Sequence, residues 1–71
     1  MLIKFENKTN GRFYYVSVVR DLFADTVVVC RFGGRNSYRH RTYYQKNENK
    51  LKQFLSKLSL KRLSRGYEIV T

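Results

Sequence analysis

The spacing of apolar residues changes once along this chain, near Asn47, and that change limits the folds open to it. Up to Tyr44 the apolar residues form short runs separated by polar or glycine-bearing segments. After Asn47 they recur as Leu51, Phe54, Leu55 and Leu58, the i, i+3, i+4, i+7 pattern of one helix face. Strands first and one helix afterwards is the order of an α+β fold.

The strand half divides at its turn residues. Leu2 to Phe5 is a short apolar start, and Lys8–Thr9–Asn10–Gly11 supplies a turn before Arg12 to Arg20, where Phe, Tyr and Val dominate. These two segments read as a hairpin. The DLFAD segment at 21–25 interrupts, with two carboxylates and no alternation, and Thr26 to Phe32 resumes as a β-branched third strand. Gly33 and Gly34 are expected to end that strand, and the polar stretch to Arg39 to form a loop. His40 to Tyr44 alternates weakly and reads as a fourth strand, antiparallel to the third, with one of Tyr43 and Tyr44 facing inward.

The helix is expected from about residue 48 to about residue 64, capped at its start by Asn47 or Asn49 and ended by Gly66. Leu60 and Leu63 lie off its main apolar face, so another segment must cover them or leave them exposed, and a last strand over Tyr67 to Val70 is the candidate for that cover. With 71 residues there is room for one domain, 1–71, and no second core. The expected fold is therefore a small twisted antiparallel sheet of four to five strands with one helix packed across it.

Cys30 has no partner for an intramolecular disulfide and follows three valines, which predicts a buried thiol and a reducing, cytoplasmic setting. The longest apolar run, Val27 to Cys30, is far too short to span a bilayer, and the N-terminus lacks the apolar core of a signal peptide.

Catalysis finds little support. One histidine and one cysteine stand ten positions apart, and the only close carboxylate pair, Asp21 with Asp25, suits turn capping better than acid and base work. A tetrahedral zinc site needs more ligands than Cys30 and His40 supply, and no phosphate loop is present. No enzyme activity, metal, cofactor or small-molecule substrate is expected.

Charge gives the positive signal. The net charge is +10, and residues 31–65 hold eleven basic side chains against Glu48 alone. Segregation of this kind costs folding energy through self-repulsion, which a polyanionic partner relieves. Between Arg31 and Arg41, arginines alternate with rings that can pack on a base or sugar. Arg31, Arg35, Arg39 and Arg41, joined by a helix stripe of Lys50, Lys57 and Lys61, are expected to hold phosphates. Phe32 or Tyr38 is expected to meet a sugar or base. The bland alternatives are a solvated basic surface and, for Lys61, Arg62 and Arg65, simple complementation of the helix dipole. An adaptor binding an acidic protein is the rival function, RNA the nearer alternative to DNA, and membrane association is not expected.

The order of these pieces resembles the WGR domain in its short bacterial form. The resemblance rests on RFYYVSVV, then DLF, a valine-rich strand ending in RFGGR, an aromatic strand, an amphipathic helix and a final SRGY, from about Ile3 to Ile69. The family's tryptophan falls on Phe32 and its glycine on Gly33, while its arginine falls on Gly34, with Arg35 one place later. In poly(ADP-ribose) polymerases this domain grips DNA at a strand break, so the resemblance implies DNA binding around Phe32, Gly33 and Arg35. It implies no catalysis, because the transferase of those larger proteins is a separate domain.

Overall fold

The computed structural model describes residues 1–20 and 26–70. The chain order is β1 (Leu2–Asn7), β2 (Arg12–Arg20), β3 (Thr26–Gly34), β4 (Ser37–Gln45), α1 (Glu48–Ser64) and β5 (Glu68–Ile69). All neighbours in the sheet are antiparallel, in the order β4-β3-β2-β1-β5, so the fold is α+β with the helix in the C-terminal half. The expected DLFAD interruption, with the Asp21 and Asp25 pair, lies outside the described residues.

Strand alternation decides what is buried. Ile3 and Phe5 of β1, Tyr14, Val16 and Val18 of β2, Val28, Cys30 and Phe32 of β3, and Tyr43 of β4 share one sheet face. Onto that face α1 lays Leu51, Phe54, Leu55 and Leu58, the four residues of the sequence pattern. Phe5, Val16, Val28 and Cys30 are fully buried, whereas no helix residue is. This is a thin core, as a chain of this length must have. The Cys30 thiol is free and buried as expected, and burial pushes its pKa up. Tyr43 faces inward and Tyr44 outward.

Both helix ends follow local rules. The Asn47 side chain accepts from the Lys50 N–H at 2.8 Å. At the other end the Tyr67 N–H returns to the Arg62 carbonyl and the Gly66 N–H to that of Leu63, each at 3.1 Å. This is a Schellman cap, and Gly66 takes the positive φ of 88° that it requires. Asn7, buried on β1, donates from Nδ2 to the Arg65 carbonyl at 3.3 Å and so ties the helix end to the sheet.

One expectation needs correction. Gly33 and Gly34 do not end β3, and residues up to Arg39 are not a loop: β3 continues through both glycines, and β4 begins at Ser37. Only Arg35 and Asn36 turn, so Tyr38 and Arg39 are strand residues. The ladder tolerates glycine here because a side chain on Gly33 would place its Cβ 2.0 Å from the Ser37 carbonyl oxygen. Of the two outcomes open for Leu60 and Leu63, exposure is the one found. β5 pairs with β1, Phe5 opposite Ile69, and leaves Leu60 69% and Leu63 47% exposed.

Candidate nucleic-acid interface

Because residues 37–45 form a strand, the expected basic patch divides between two sheet faces. The register sets Arg39 opposite Phe32 and Arg41 opposite Cys30, so both arginines project toward the helix side. Arg31, Gly33, Tyr38 and His40 belong to the other face. Cys30 and His40 thus point to opposite sides of the sheet. Arg35 sits at the turn between them, exposed.

On the helix side, α1 runs back along β4, its Phe54 ring 4.9 Å from that of Tyr43. Between helix and strand lies a groove of two adjoining clefts that share Tyr14 and Arg62. The first, about 370 Å³ in volume, opens at the helix C-terminus and is lined by Arg12, Arg39, Arg62 and Arg65 over a floor of Tyr14, Phe32 and Tyr67. The second, about 300 Å³, carries Lys57 and Lys61 beside Tyr43 and Phe54. Arg41 lies between Arg39 and Tyr43 on the same face of β4. Lys50 is exposed on the same helix flank, two turns before Lys57.

Aromatic stacking holds the first cleft in shape. Phe32 stacks on Tyr14 at 5.3 Å and 17° between ring planes, which makes it a half-buried wall rather than a projecting ring. Arg62 lies 4.4 Å over Tyr14 and 5.7 Å from the centroid of Tyr67, so its guanidinium is fixed between rings at the head of the groove. Its Nε is buried and has no hydrogen-bond partner. Burial, together with the Cys30 thiol to which it is hydrogen-bonded, pushes the Tyr14 pKa far up, keeping the ring neutral beneath the guanidinium.

No carboxylate among the described residues lines either cleft. Glu48 and Glu68 stand in exposed ion pairs with Arg20 (3.8 Å) and Lys8 (3.7 Å), and Glu6 accepts from the Tyr15 hydroxyl at 3.0 Å on the opposite face. The described side chains that line the groove are therefore cationic or uncharged, which suits a bound anion.

Of the residues expected from sequence, the groove thus gathers Phe32, Arg39, Lys57, Lys61 and the backbone of Gly33 and has Arg41 on its face of the sheet, leaving Arg31 and Tyr38 behind the sheet, Arg35 at its rim and Lys50 beyond its end. Arg12, Arg62 and Arg65 are additions. Arg62 was legible, since it follows Leu58 by four and so continues the buried helix stripe, where an arginine is out of place unless it has work there. Arg12 opens β2 with no such signal.

Among the described residues no group of three or more His, Cys, Asp and Glu side chains stands close enough to hold a metal ion, and no helix is long and apolar enough to cross a membrane. The chain matches no family model, no curated protein and no solved structure.

Proposed function

We propose that this chain binds nucleic acid, DNA in preference to RNA, by seating the phosphate backbone in the groove between α1 and β4. The observation that carries the reading is the convergence of cations from three separate elements on one groove free of described carboxylates: Arg12 from β2, Arg39 from β4, and Lys57, Lys61, Arg62 and Arg65 from α1 or its cap. Guanidinium groups form bidentate bonds to phosphate oxygens, and rings beside them give a sugar or base an apolar wall. Such contacts carry no base-edge code, so little sequence preference and no catalysis are part of the reading. The choice of DNA rests on the WGR resemblance, in which Phe32 and Gly33 hold the signature positions and now line the cleft.

The test is a salt titration of duplex binding. With about five phosphates neutralised, log K falls against log salt with a slope of roughly −4 to −5. Arg65→Ala and Lys57→Ala each reduce that slope by about 0.9. A flat salt response refutes the reading, and tighter binding to RNA of equal length at the same salt transfers it to RNA.

The adaptor reading keeps one observation of its own: Leu60 and Leu63 are exposed together on the helix, a small apolar surface that phosphates do not use. Leu60→Lys with unchanged duplex affinity separates that surface from the groove.

A further inference from the structure

We infer that the sheet face opposite the helix is a second site, which binds single-stranded nucleic acid by stacking its bases. Its ligand class is that of the proposed function, but it uses different residues on the other side of the sheet. Two cross-strand rows build it. In one, Lys4, Tyr15, Arg31 and His40 are successive partners across β1, β2, β3 and β4; in the next, Glu6, Phe13, Gly33 and Tyr38 are.

Glycine at position 33 lets the rings on either side approach. Phe13 and Tyr38 lie 6.3 Å apart across it, and Phe13 is 5.0 Å from Tyr15, a continuous group of three rings. No helix covers them: Tyr38 is 61% exposed, Arg31 and His40 are exposed, and Phe13 and Tyr15 are partly exposed. Rings seated in a core would not be left in this state. Lys4 lies 5.5 Å over Tyr15, and the Tyr15 hydroxyl donates to Glu6, so two side chains of β1 fix the Tyr15 ring.

Charge chooses the occupant. Lys4 and Arg31 flank the rings, while the two described carboxylates on this face are both engaged, Glu6 by the Tyr15 hydroxyl and its cross-strand partner Glu68 by Lys8. Rings 5.0 and 6.3 Å apart, with Lys4 and Arg31 beside Tyr15, offer ring faces to unstacked bases and cations to the phosphates that join them. A duplex hides its base faces, so the occupant is a single strand.

The experiment measures labelled-strand anisotropy with an oligothymidine about twelve nucleotides long and an abasic strand of equal length and charge. The wild-type chain is expected to bind the base-bearing strand about tenfold more tightly. Tyr15→Ala with Tyr38→Ala is expected to abolish that preference while leaving abasic binding in place, and Tyr38→Phe, which keeps the ring, to retain it. Arg65→Ala with Lys57→Ala weakens both strands in proportion, so loss of the groove reads differently from loss of this face. Equal binding of the two strands by the wild-type chain overturns the inference, as does a preference that survives removal of both rings. A dimer in sedimentation that Tyr38→Ala dissociates assigns the face to a second copy and overturns it too.

Discussion

Replacing Arg62 with methionine is expected to weaken nucleic-acid binding without weakening the fold. The side chain continues the apolar stripe of α1, so methionine, unbranched and of similar reach, keeps its packing on Tyr14. The substitution removes two cation–π contacts, together worth roughly 1–2 kcal/mol at a half-exposed site. It also removes a buried Nε that has no partner, a group costing about 1–3 kcal/mol. Repulsion from Arg12, Arg39 and Arg65 in the same cleft falls as well. These effects nearly cancel or favour the variant, so its urea midpoint should be unchanged or higher, by up to about 1 kcal/mol of stability. Duplex affinity should fall about tenfold, the equivalent of ~1.4 kcal/mol, with the salt slope reduced by about 0.9. Arg62→Lys, which keeps the charge but not the planar fork, should recover part of the affinity and most of the slope. A variant destabilised by more than about 2 kcal/mol with its duplex affinity intact would mean that Arg62 serves the fold, and the groove reading would lose its central residue.

Two further outcomes concern the fold itself. Gly33→Ala must displace the Ser37 backbone by more than 1 Å, because the new Cβ would lie 2.0 Å from its carbonyl oxygen, and should cost about 2–3 kcal/mol in urea unfolding; Gly34→Ala, whose nearest neighbour is the Arg12 side chain at 3.6 Å, should cost less than about 1 kcal/mol. Stability should also decline as pH rises above about 9, the ordinary thiol value, because the unfolded chain then releases protons that Cys30 and Tyr14, with raised pKa values, still hold in the fold. Comparing urea midpoints at pH 8 and 10 checks this: Cys30→Ala should lose less stability than the wild-type chain over that interval, and equal losses would refute it.

The helix was legible almost to the residue because its signals are local: a four-residue apolar stripe, Asn47 at its start and Gly66 at its end. The first hairpin was legible for the same reason. What sequence could not show is why two glycines continue a strand. Locally they read as a stop, and only the approach of the Ser37 backbone from β4 explains Gly33. That one error hid the groove, for a loop has no faces, and the arginines and rings from Arg31 to Arg41 looked like one patch. Strand alternation sorts them instead, with Phe32, Arg39 and Arg41 on the helix side and Arg31, Tyr38 and His40 on the other. Weak alternation in β4 has the same origin, since neither of its faces is simply apolar.

A plainer account of the charge on β4 has to be weighed. β4 is an edge strand of nine residues, and cations along an edge discourage pairing with another chain. One or two lysines suffice for that purpose. Edge protection accounts for Arg39, His40 or Arg41, but it says nothing of cations on other elements that turn toward the same space. Arg12 enters from β2, Lys57 and Lys61 from the helix flank, and Arg65 from a helix end that Asn7 anchors to the sheet. Dipole complementation likewise covers Lys61 and Arg62 but not Arg12 or Arg39. Each plain explanation takes a few cations singly. None explains why they converge around a ring-lined groove, and mutual repulsion makes that convergence costly unless an anion occupies it.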